Sequence, residues 1–70
     1  MDNLNLGDRV RITGLSETSP WQDLKGEVIW IDPDDSLEEF QTITVRVEFP
    51  TSNGIREVDQ NFDRRNVVKE

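Results

Sequence analysis

Thr42–Phe49, TITVRVEF, alternates apolar and polar side chains with a strict period of two. Ile43, Val45, Val47 and Phe49 fall on one face of an extended segment, and Thr44, Arg46 and Glu48 fall on the other. Successive side chains of a strand point to opposite faces, and β-branched residues suit a half-buried pleated surface. The stretch therefore reads as a strand with one face in a core. Large apolar groups on a single side need a second layer to cover them, and the flanking segments are placed to supply it.

Toward the N-terminus, Met1–Leu6 reads as a loose lead-in, with Leu4 or Leu6 available to tuck against the core. Gly7-Asp8 is a turn opening a strand over Arg9–Thr13, where Val10 and Ile12 alternate with Arg9, Arg11 and Thr13, and Gly14 ends it. Leu15–Lys25 has no sustained period and reads as a loop of about ten residues, a length that in a compact domain is either functional or self-packed. Trp21 lies within it. Its commoner role is to fold back as a lid on the core; its sharper one is an aromatic anchor for a protein partner. Gly26–Asp32, GEVIWID, is a second strand. The unbroken run Val28–Ile31 implies burial on both faces or a bend between two sheets, and Gly26 permits a close backbone approach.

Pro33–Gln41 reads as a loop holding one helical turn, with Ser36 capping Leu37–Phe40. Asp32, Asp34, Asp35, Glu38 and Glu39 crowd this stretch without a base, either as a solvated loop or as an electrostatic handle for a basic partner. Asp32-x-Asp34-x-Ser36 echoes the opening of a calcium loop. Leu37 stands where the sharp-turn glycine belongs, however, and Ile43 where the bidentate Glu belongs, so no metal is expected. Pro50–Gly54 is a hairpin turn with Asn53-Gly54 tolerant of positive φ. Ile55–Val58 returns as a fourth strand whose spacing of apolar residues predicts a bulge or an early end. Asn61–Asn66 reads as a short 3₁₀ or helical turn with Phe62 in the core and Arg64 and Arg65 outside, either as a small basic contact spot or in ordinary surface pairs with Glu57 or Asp59. Val67-Val68 closes against Arg9–Thr13. The fold expected is all-β: one domain, a small five-stranded SH3-like barrel with a 3₁₀ or helical turn before the last strand, closed so that little strand edge is left free.

Composition narrows the function. A chain of 70 residues buries only about 60% of its unfolded surface and depends on a well-packed core. It has no cysteine and no histidine, which removes disulfides, thiolate metal sites and the most adaptable general base. The absence of cysteine fits a reducing, cytoplasmic setting, and no apolar run is long enough to span a bilayer. The net charge is −7, from 15 acids and 8 bases, and such a surface repels phosphate backbones. No carboxylate, Lys, Ser or Thr stands in a recognised catalytic motif, so no enzyme and no cofactor are expected.

Gly7-Asp8-Arg9-Val10-Arg11-Ile12, Trp21, Gly26-Glu27-Val28, Thr44-Val45-Arg46-Val47 and Asn61-Phe62 together resemble subunit IV (the E subunit) of photosystem I. The ferredoxin-thioredoxin reductase variable chain is similar in its opening and its later G-E-V. The resemblance implies a non-catalytic accessory subunit that docks beside an electron-transfer complex, peripheral at the thylakoid surface. It places a carrier contact at Arg46. The family's Tyr-Trp pair is Pro20-Trp21 here, its basic character is replaced by net acidity, and the loop between the third and fourth strands is short. A partner more basic than ferredoxin follows from that charge. The candidate contacts are Trp21, Arg46, Asp34, Asp35, Glu38 and Glu39, with Arg64 and Arg65 as a separate basic spot. The alternative is a KOW-type nucleic-acid barrel, which requires Arg9, Arg11, Arg46, Arg56, Arg64 and Arg65 to gather on one face.

Overall fold

The computed structural model describes residues 4–34 and 36–70. The alternating stretch forms β3, Thr42–Thr51, and buries Ile43, Val45 and Val47 completely. β1 is Arg9–Ile12, β2 Lys25–Ile31, β4 Gly54–Asp63 and β5 Val67–Lys69. The described residues contain two 3₁₀ turns, Glu38–Phe40 and Arg64–Asn66, and no α-helix. All pairings are antiparallel in the order β4-β3-β2-β1-β5. The all-β expectation holds, and the strand order is consistent with a small SH3-like barrel.

The core is built from Val10, Ile12, Val28, Ile43, Val45, Val47, Phe62 and Val67, with Leu4, Leu15, Trp21, Leu24 and Ile31 packed around it. Leu4 thus joins the core while Leu6 remains exposed. Gly26 lies between Val10 of β1 and Val47 of β3, where the three strands approach closely. The apolar run of β2 is resolved by a bulge at Ile29: Val28 pairs with Val45, but Trp30 pairs with Thr44 and Ile31 with Ile43. The inserted residue switches the alternation. Val28 and Ile31 therefore both face the core, and Trp30 is turned outward and 47% exposed.

Three expectations need correction. β4 neither bulges nor ends early: it runs in unbroken register with β3 from Thr51↔Gly54 to Thr42↔Asp63. The hairpin turn is only Ser52-Asn53, and the left-handed backbone falls on Gly54 (φ 116°), not on Asn53. Continuous pairing with β3 and this tight turn fix the strand, although few of its side chains are apolar. Third, the sheet is not closed by strand pairing. β5 is three residues long and pairs with β1 alone, through Ile12↔Val67. The second 3₁₀ turn carries the chain from one sheet edge to the other. There Asn66 accepts from the Thr13 N–H (2.8 Å) and donates its side-chain amide to the Thr13 carbonyl (2.9 Å). The result is an open, barrel-like sheet with β4 and β5 as its edges.

Candidate docking surface

The β1–β2 connection is self-packed. Its base is tied by Ile12 N–H to Leu24 carbonyl and Asp23 N–H to Ile12 carbonyl, both 2.8 Å, and Gln22 Oε1 accepts from the Leu15 N–H. The folded loop presents Trp21 edge-on to Phe49 (centroids 5.3 Å apart, planes at 68°) and to Phe62 (6.0 Å, 78°). Such T-shaped contacts suit the ring quadrupoles. Trp21 is the lid its commoner reading requires, yet it and Phe49 stay half-exposed.

Beyond Val47, β3 has no partner on the β2 side, so Glu48–Thr51 and the facing residues of β4 form a hairpin extending past the core. The longest molecular dimension is 40 Å against 24 and 18 Å. A groove of about 680 Å³ borders this hairpin, walled by Trp21, Phe49, Arg56 and Val58 and, from the other face of β4, by Glu57 and Asp59. Lining from both faces of one strand places the concavity along the β4 edge.

On the outer face of the sheet, charges alternate across the strands. Arg9 faces Glu27, Glu27 faces Arg46, and Arg46 faces Asp59. The Glu70 N–H continues the row onto the Arg9 carbonyl. Arg46 Nε donates to Asp59 Oδ1 at 3.1 Å, and Arg9 Nη2 donates to Glu48 Oε1 at 2.7 Å. Both guanidinium groups are held above their ordinary pKa, Arg9 chiefly by its hydrogen bond to Glu48 and Arg46 by its bond to Asp59, with Glu27 adding to each. Arg46 is exposed as its alternation predicts, but as a member of this row.

The acidic loop is organised by its own backbone. Asp32 Oδ1 accepts from the Asp34 N–H (2.9 Å) and Asp34 Oδ1 from the Ser36 N–H (3.1 Å). That backbone bond from Ser36, reinforced by the Ser36 side chain, holds the Asp34 carboxyl below the ordinary aspartate pKa. Ser36 is not the cap of the 3₁₀ turn; Leu37 occupies that position and its side chain has no polar atom to bond, while the Ser36 N–H is engaged with Asp34. Asp35 lies outside the described residues.

Arg64 and Arg65 are not a separate spot. The Arg64 N–H donates to the Gln41 carbonyl (2.8 Å), joining the two 3₁₀ turns, so both arginines share a cleft of about 520 Å³ with Glu38, Glu39 and Leu37. The guanidinium of Arg65 lies 4.7 Å from the Phe40 ring centroid and 3.8 Å from Asp63 Oδ2, and Arg64 Nη1 donates to the Val67 carbonyl. Arg65 thus pairs with Asp63 rather than with Glu57 or Asp59, and Asp59 is taken by Arg46. Sequence reasoning singled out Trp21 and the charged residues by type, but not the β4 edge or the charge row, whose only signal is strand register.

Among the described residues no helix is long and apolar enough to cross a membrane. The chain matches no protein-family model, no curated protein and no solved structure.

Proposed function

We propose that this chain is a non-catalytic docking or regulatory module that binds a protein partner on the hairpin side of its sheet. The observation that carries this reading is the groove along β4, walled by half-exposed Trp21 of the β1–β2 loop and by Phe49 on a hairpin extending beyond the core. An aromatic pair fixed by the fold offers a partner side chain an apolar seat at little cost in ordering, and tryptophan is enriched at interface hot spots.

A protein is favoured over nucleic acid because Arg9, Arg46 and Arg65 each face a carboxylate of the same chain. Affinity for nucleic acid follows the number of phosphates neutralised, and cations already paired in an acidic protein neutralise few. The likeness to photosystem I subunit IV and to the ferredoxin-thioredoxin reductase variable chain supports an SH3-like barrel serving an electron-transfer complex, docked peripherally on its membrane. The net charge of −7 favours a partner surface more basic than ferredoxin.

Site-specific photo-crosslinking in cell lysate tests the reading, with the crosslinking residue placed at Thr51 or at Arg11 on the far side of the sheet. A single protein adduct from Thr51 and none from Arg11 is the expected result. Nucleic-acid adducts, or equal protein adducts from both positions, would reject it.

A further inference from the structure

The register of β4 decides which of its backbone groups are free. Hydrogen-bonded and non-bonded residue pairs alternate along an antiparallel ladder. The Arg64 N–H donates to the Gln41 carbonyl, so the bonded pairs join odd-numbered residues of β3 to even-numbered residues of β4. The N–H and C=O groups of Ile55, Glu57, Asp59 and Asn61 therefore point away from β3. None of the described backbone–backbone hydrogen bonds outside the strands reaches them, and β4 ends the sheet. Edge strands are commonly protected by proline, by a bulge or by brevity. β4 has ten residues, no proline and no register shift.

The flanking side chains specify what can pair there. On the outer face the edge carries Ile55, Glu57, Asp59, Asn61 and Asp63, so its charges are all negative; Arg46, one strand in, answers Asp59. The opposite face carries Val58 and Arg56 beside Phe49 and Trp21 of the groove. A second copy of this chain would set Glu57 and Asp59 against the same residues, between molecules of net charge −7, and like charges across a strand pair repel. Charge complementarity instead selects a basic strand whose alternate residues are apolar.

We infer that the free edge of β4 is a strand-addition site for an extended partner segment with alternating basic and apolar residues, the basic ones facing Glu57 and Asp59 and the apolar ones entering the Trp21–Phe49 groove. This rests on the docking reading above and gives it a binding mode: main-chain hydrogen bonds supply affinity and alternate side chains supply selectivity.

The test uses the full chain and a synthetic peptide alternating Lys and Val over about six residues, the length of an ordinary strand. Comparators are the Glu–Val counterpart and a Lys–Val peptide N-methylated on every backbone amide, which has no N–H to donate from either edge. Amide hydrogen exchange is followed by NMR. The Lys–Val peptide should slow exchange at Ile55, Glu57, Asp59 and Asn61 by about tenfold or more, less so at high salt, and neither comparator should. Glu57→Pro removes one outward N–H without touching the β3 ladder and should abolish the protection, whereas Glu57→Gln keeps the N–H and should only weaken it. Absence of Lys–Val binding, binding without edge protection, or equal binding of a comparator would overturn strand addition. So would edge protection that grows with chain concentration alone, which would mark a second copy. Any of these alongside a retained Thr51 crosslink removes the binding mode and leaves the docking reading; loss of the crosslink removes the docking reading itself.

Discussion

Gly26→Ala is the substitution that most directly probes how this sheet is packed. A Cβ at Gly26 would meet the Arg46 carbonyl oxygen first, then Val45 Cγ1 at 2.7 Å and the Arg46 carbonyl carbon at 3.0 Å. Carbon atoms pack at about 3.5–4.0 Å, so the shortfall is about 1 Å. A side chain could rotate aside, but the main obstacle is the backbone of β3, and β2 is held in register on both sides. Overpacking costs about 1–3 kcal/mol, and a backbone obstacle puts this site near the upper figure, about 3 kcal/mol. A domain of this size has a total stability of about 3.5–10 kcal/mol, so the loss is a large share of it. At about 4–8 °C per kcal/mol the melting temperature should fall by roughly 12–24 °C. Thermal and urea unfolding followed by tryptophan fluorescence would measure it. Gly54→Ala is the control: the position has a φ of 116° but nothing within 4 Å, so only backbone strain of about 1–3 kcal/mol applies. A Gly26→Ala melting temperature within a few degrees of the parent would refute the close approach of β2 to β3.

Trp21→Ala removes the edge contacts to Phe49 and Phe62 from a half-exposed site. It should cost about 2 kcal/mol, less than the loss for a fully buried tryptophan, and an unchanged unfolding midpoint would remove the lid role. Arg46→Glu sets a third carboxylate between Glu27 and Asp59. It should lower the midpoint more than Arg46→Gln at low salt, and the difference should vanish as salt is added; a salt-independent difference contradicts the charge row. The Asp34 carboxyl, followed by NMR, should titrate below the ordinary aspartate value of about 3.9, because its ionised form accepts the Ser36 N–H. Its folded pKa is depressed, so the stabilisation it gives the turn is complete above the ordinary value and is lost as pH falls through the lower one. Ser36→Ala should move the midpoint part of the way back, and a midpoint at or above the ordinary value would exclude the interaction.

What could be read in advance followed from local pattern. β3 was legible because Ile43, Val45 and Val47 all reach the core, so its period is written in hydrophobicity. β4 was legible only over Ile55–Val58, because it pairs with β3 over its whole length while Phe62 alone is buried and only Val58 and Asp63 are half-buried. Its core-side positions include Arg56 and Gln60, and its most prominent apolar residue, Ile55, points outward with 72% exposure. The strand is dictated by its partner and by the Ser52-Asn53 turn, and neither leaves a two-residue apolar signal. Trp21 stood out by type alone. The meeting of Glu38 and Glu39 with Arg64 and Arg65 had no trace in their spacing, since it depends on the Gln41–Arg64 hydrogen bond at the foot of the hairpin.

The open edge and the acidic surface are physically linked. A ten-residue edge with free backbone groups invites pairing with any exposed strand, including the same strand of another molecule. The usual local defences are absent from β4, so the remaining one is charge: Glu57, Asp59 and Asp63 line its outward row. Within the sheet this row is balanced, because Arg46 answers Asp59 and Glu27 answers Arg46. At the edge the alternation stops on an acid with nothing beyond it, so the next strand in the series would present a base opposite Asp59. The same pattern that stabilises neighbouring strands therefore discourages self-pairing and defines the sign of the strand that can follow.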